Sequence, residues 1–83
     1  MKIGVAGSLE SNDALITVTE NDKIEIEIES IVYEFFHEQI EQVIRETLND
    51  LNVKNLKVVI RDKGALDYTI RARLVTAIER MGE

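Results

Sequence analysis

The sequence predicts an α+β fold, a two-layer β-β-α-β-α sandwich with a three-stranded mixed sheet packed on two helices. Three observations lead there. Residues 24–29 read Ile-Glu-Ile-Glu-Ile-Glu, a strict alternation with one apolar and one acidic face, which is the period of a half-buried strand. Residues 31–51 and the stretch after Asp62 carry apolar residues at helical spacing, so each helix offers one stripe. Strands with one apolar face and helices with one apolar stripe bury both by stacking as two layers.

Taken in order, residues 1–12 crowd Gly4, Gly7, Ser8, Ser11 and Asn12 together without sustained periodicity and read as a flexible arm. Residues 14–20 are rich in β-branched side chains and predict the first strand. Asn21, Asp22 and Lys23 supply a turn into the second strand at 24–29. A three-residue loop would set Val18 opposite Ile26 and Ile16 opposite Ile28, whereas a two-residue loop mixes the faces.

Residues 31–51 follow as a helix. Val32, Phe36, Ile40, Val43, Thr47 and Leu51 form its stripe, widened by Phe35, Ile44 and Leu48. Ser30 is the expected N-cap, Glu41 and Arg45 an i,i+4 ion pair, and Asn52 the left-handed residue that ends the helix. Residues 56–61 predict a third strand with Leu56, Val58 and Ile60 inward. Leu66, Ile70, Leu74, Ala77, Ile78 and Met81 mark the second helix. A crossover through the first helix joins the second strand to the third, and the expected sheet order places the first strand centrally.

Composition narrows the chemistry. The 83 residues contain no proline and scattered glycines, so one domain over residues 1–83 is expected, with no linker. Sixteen acids against ten bases leave a net charge of −6, which argues against nucleic acid and anionic membrane surfaces as partners. Cysteine is absent and His37 is the single histidine, which removes disulfides, thiol nucleophiles and Cys- or multi-His zinc sites. With no apolar run long enough for a signal peptide or a membrane span, the expected location is cytoplasmic. A chain this short supports a core worth only ~3–5 kcal/mol net. A deep water-excluded active site does not fit in it.

His37 falls on the polar side of the first helix beside Glu34, Glu38 and Glu41 and reads as a solvated histidine. Glu25, Glu27 and Glu29 leave one strand face about 7 Å apart, too far for neighbours to share a cation unaided; no metal site is expected. Lys63, Arg71, Arg73 and Arg80 form a basic cluster in an acidic chain, read either as surface charge or as an anion or partner contact. Ser8 and Ser11 lie beside glycine and asparagine in the N-terminal stretch, where an exposed hydroxyl could accept a covalent group.

Two stretches carry a resemblance. Ala6-Gly7-Ser8-Leu9-Glu10-Ser11-Asn12-Asp13, and Asp62-Lys63-Gly64-Ala65-Leu66-Asp67 followed by Arg71-Ala72-Arg73, resemble the two signatures of the acyl carrier (gamma) subunits of citrate lyase. The resemblance covers nearly the whole chain. It implies a non-catalytic carrier domain holding 2'-(5''-triphosphoribosyl)-3'-dephospho-CoA through a phosphodiester to Ser11, which closes the Leu-Glu-Ser run; Ser8 is the competitor. It further implies that the thiol of that group bears acetyl or citryl. The implied partners are the alpha (acyl transferase) and beta (lyase) subunits and a prosthetic-group transferase. Two alternatives stay open: the equivalent carrier of citramalate lyase, and an interaction module without covalent cargo. Tyr68 departs from the family pattern, in which a small or thiol residue follows Asp67.

Overall fold

The computed structural model describes the backbone of residues 2–30 and 33–82, and the side chains of residues 2–30 and 36–82. Its elements run β1 (Ile3–Gly7), β2 (Ala14–Glu20), β3 (Glu25–Ser30), α1 (Tyr33–Asp50), β4 (Leu56–Asp62) and α2 (Asp67–Met81). The α+β class and both helices are as expected. The sheet has four strands in the order β1-β2-β4-β3, which corrects the expected three.

The added strand is β1, and it replaces part of the expected N-terminal arm. Ile3 and Val5 alternate with Gly4 and Ala6, and β1 pairs antiparallel with β2 from Ile3↔Thr19 to Gly7↔Leu15. Gly4 is small for a reason other than turning. A Cβ at this position would lie 1.9 Å from the carbonyl oxygen of Ala77 in α2, so only glycine lets the helix backbone come this close.

The expected hairpin between residues 14–20 and 24–29 does not form, and its register is corrected with it. β2 pairs antiparallel with β4, Ile16 opposite Ile60 and Val18 opposite Val58, while β3 pairs parallel with β4, Ile26 opposite Val58 and Ile28 opposite Ile60. The charges are compatible with the choice. Glu25 and Glu29 stand opposite Lys57 and Arg61, and Glu27 reaches Lys57 at 3.3 Å while Glu29 reaches Arg61 at 3.5 Å. Beside β2 the same glutamates would have met threonines. The connecting loop also lacks the glycine that tight hairpins favour, and a strand-helix-strand crossover delivers a parallel neighbour. β3 is therefore an edge, and the first-expected strand shares the centre with β4.

The core lies between the sheet and the two helices. Ile16, Val18, Val58 and Ile60 from the central strands meet Ile40, Ile44 and Leu48 of α1 and Ile70, Leu74 and Ala77 of α2, all buried. Phe36 and Leu51, expected in the α1 stripe, are exposed, because the buried stripe is centred on Ile44, Thr47 and Leu48. Val32 and the side chain of Phe35, also assigned to that stripe, lie outside the described residues. So does the start of the helix that Ser30 was expected to cap. Ser30 closes β3 and donates to Asp62 at 2.8 Å.

The end of α1 follows expectation. Asn52 takes φ 58°, its N–H donates to the Asn49 carbonyl at 3.0 Å, and the Val53 N–H donates to the Leu48 carbonyl at 2.9 Å. These are the paired bonds of a Schellman cap with asparagine in the left-handed position. Glu41 and Arg45 pair at 2.8 Å.

Candidate functional site

The connection between β1 and β2 holds both candidate serines. It begins at Gly7, with φ 97°, where a Cβ would lie 1.8 Å from the Ala14 carbonyl oxygen. Strand and return strand pinch together there, and no other residue fits. The loop closes in a turn, the Asp13 N–H donating to the Glu10 carbonyl at 3.2 Å. Ser11 and Asn12 are the two central residues, and Asn12 carries the positive φ of 65° that the third position of a type II turn requires.

The two serines have opposite circumstances. Ser8 is half-buried; its hydroxyl donates to Asp13 Oδ2 at 2.7 Å and accepts the Glu10 N–H at 3.3 Å. Ser11 is exposed at the tip, and its hydroxyl bonds to no other group among the described residues. One serine is tied into the loop and the other is presented by it.

Asp13 organises the arrangement. Besides the Ser8 hydroxyl, its carboxylate accepts the Ala14 N–H at 2.7 Å and a bidentate pair from Arg73, Nε at 2.9 Å and Nη2 at 3.0 Å. The planar guanidinium matches a carboxylate with two parallel bonds. These donors hold the Asp13 carboxyl at a pKa of about 2, with the Arg73 bond the largest cause and the Ser8 and Ala14 bonds following.

A second tether joins the turn to the loop after β4. The Asn12 N–H donates to the Lys63 carbonyl at 2.8 Å, and the Lys63 N–H returns to the Asp13 carbonyl at 2.9 Å. That second loop is itself fixed by Asp62, a buried residue that accepts the Ala65 N–H at 2.9 Å and the Ser30 hydroxyl at 2.8 Å. The two motif-bearing stretches, some fifty positions apart in the chain, thus form one built structure.

The other candidates fall elsewhere. The basic cluster is dispersed: Arg73 holds Asp13, Arg71 pairs with Asp50 at 2.9 Å, and Arg80 donates to the Val5 carbonyl of edge strand β1 at 2.9 Å. Each arginine fastens α2 to a neighbouring element, which disperses the group read as an anion contact. Glu27 and Glu29 are engaged by Lys57 and Arg61, and His37 lies on α1. Tyr68 is 72% exposed at the start of α2, so the departure there changes surface and not packing. Sequence reading missed Arg73 as the partner of Asp13. The available signal was an acid in one motif and an arginine in the other.

Comparison with known proteins places nearly the whole chain in one family. Residues 1–81 match the family model described as malonate decarboxylase delta subunit (MdcD). The citrate lyase acyl carrier protein of Streptococcus uberis is 51% identical over 81 residues, covering 96% of this chain and 80% of that one. That of Treponema denticola is 44% identical over 79 residues, covering 95% and 91%. In fold the chain resembles a subunit in the crystal structure of a Pseudomonas malonate decarboxylase hetero-tetramer in complex with malonate, at a TM-score of 0.80 and 20% identity, covering 98% of this chain and 84% of that one. Near-half identity along almost the whole length and a family match from end to end make this chain a member of the acyl carrier protein family that includes the malonate decarboxylase delta subunit and the citrate lyase carriers.

Proposed function

We propose that this chain is the acyl carrier subunit of a citrate lyase, loaded at Ser11 with 2'-(5''-triphosphoribosyl)-3'-dephospho-CoA through a phosphodiester. The observation that carries the reading is the Ser11 hydroxyl, exposed and without a bond among the described residues, on a turn held by the Asp13 carboxylate and the Asn12–Lys63 backbone bond. Identity of 44% and 51% to citrate lyase carriers favours citrate over the other acids handled by this family.

The residues fit such a group. Ser11 offers the oxygen for a phosphodiester, and a tip position leaves a long appendage room to swing. The group, when bound, supplies the thiol that this cysteine-free chain lacks and so carries the acetyl or citryl thioester. The chain's own residues do the presenting: Asp13, Arg73 and the Asn12–Lys63 backbone bonds keep the attachment point at a constant place on the surface. Tethering then converts each encounter with a partner site into an effectively intramolecular one. Acyl exchange and carbon–carbon cleavage fall to the alpha and beta subunits. On this reading the bare subunit is a non-catalytic carrier in the cytoplasm, loaded by a dedicated transferase.

The test is reconstitution of the complex with Ser11→Ala. Citrate cleavage should fall to background, and the wild-type complex should prefer citrate over citramalate and malonate. Wild-type turnover by the Ser11→Ala complex would refute the attachment; preference for citramalate would reassign the substrate.

A further inference from the structure

We infer that Asp13, locked by Arg73, selects Ser11 over Ser8 as the acceptor, by holding the Ser8 hydroxyl and clamping the turn that offers Ser11. The inference rests on the carrier reading and adds to it the positioning residues of the loading step. Two hydroxyls three positions apart flank Leu9 and Glu10 in the same loop, so a modifying enzyme that recognised only a flexible loop would have two acceptors within reach.

The structure separates them. The Ser8 hydroxyl spends its proton on Asp13 Oδ2 at 2.7 Å and its lone pair on the Glu10 N–H. Half-buried and held at both its hydrogen and its oxygen, it can turn toward an incoming phosphorus only by leaving the loop and the carboxylate that Arg73 fixes, a charge-assisted bond. Ser11 has no such bond to break. Its neighbours are nonetheless fixed, Asn12 by its N–H on Lys63 and Asp13 by both backbone and side chain. A fixed backbone carrying a free hydroxyl is the preorganised form of an acceptor, because ordering costs are already met before the transferase binds.

Loading needs only this hydroxyl and a triphosphate donor. The Ser11 Oγ–P bond forms as the bond from that α-phosphorus to the bridging oxygen breaks. Pyrophosphate leaves, and the hydroxyl proton passes to a base of the transferase or to water. Asp13 takes no part in that exchange. Its role is position, and its effect should appear in where and how fast the group is attached.

The experiment loads the purified full-length chain with its transferase and donor, then maps the attached mass by peptide. Wild type should be modified at Ser11 alone. Ser11→Ala, which removes an exposed hydroxyl and leaves every bond of the brace intact, should stay unmodified, with Ser8 still held. Arg73→Gln should lower the kcat for Ser11 loading by about 10- to 100-fold, more than it changes KM, and should admit modification at Ser8. Arg73→Lys, retaining the charge, should recover part of the rate. Modification of Ser8 in the Ser11→Ala chain would overturn the inference even if Arg73→Gln failed to fold. So would Arg73→Gln loading Ser11 at the wild-type rate with Ser8 untouched. A wild-type chain modified at neither serine would instead remove the carrier reading on which the inference stands.

Discussion

At Asp13 a carboxylate only 15% exposed receives the Ser8 hydroxyl, the Ala14 N–H and two guanidinium donors. All of these bonds favour the charged form, and they lower its pKa from 3.8 to about 2 against the opposing effect of burial. The folded state therefore binds this proton more weakly than the unfolded chain does. Asp13's contribution to stability is complete above pH 3.8 and is lost as the pH falls through about 2. Asp13→Asn should accordingly lower the urea midpoint at neutral pH and flatten its fall across that acid range. A variant whose midpoint follows the wild-type curve throughout would show that Asp13 is not held as described. Ser8 and Ser11 differ by the same logic of commitment. The composition of the loop marked both as reachable hydroxyls, but only the fold decides which one a carboxylate occupies.

Among the elements, β1 and α2 pack closely against each other. α2 lies over β1 and β2 with Ala77 buried, and it approaches β1 where Gly4 has no side chain. Gly4→Val should force the two apart and cost about 1–3 kcal/mol, read as a lower chemical-denaturation midpoint. Equal stability would contradict the close approach. The same pairing shows why β1 was hard to read. Glycine and alanine at alternate positions signal a strand pressed against a helix, yet the same residues in a row with Ser8, Ser11 and Asn12 resemble a loop.

β3 was legible as a strand, because its alternation depends on nothing outside itself, but its neighbour was not. Hydrophobic register treats Val18 and Val58 alike as partners for Ile26; the crossover through α1 delivers a parallel neighbour, and the charges of Lys57 and Arg61 become informative only once β4 is a candidate. α1 was read correctly at its end, where Asn52, Leu48 and Val53 form a local cap. It was read too broadly across its face, because Phe36 is apolar and exposed. For the site, the serine loop and both motifs could be seen in the chain. The bond between them could not, since sixty positions separate Asp13 from Arg73.

At the scale of the molecule, the chain divides its tasks by region. A four-stranded sheet and two helices form a small core, and the loop between β1 and β2 is fastened to it from two sides. The core offers no cysteine, and among the described residues no cluster of His, Asp and Glu is arranged to hold a metal ion. What the fold does supply is the exposed Ser11 hydroxyl at a defined place, on an acidic body of net charge −6 that suits docking on basic partner surfaces. On the carrier reading, this hydroxyl bears the acyl-carrying group in the working assembly. The most direct test is the mass of the chain isolated from its own active complex, with the modified peptide mapped. The expected result is one added group of the mass of the triphosphoribosyl-dephospho-CoA moiety less pyrophosphate, on Ser11. Full activity from a complex whose Ser11 is unmodified would contradict it.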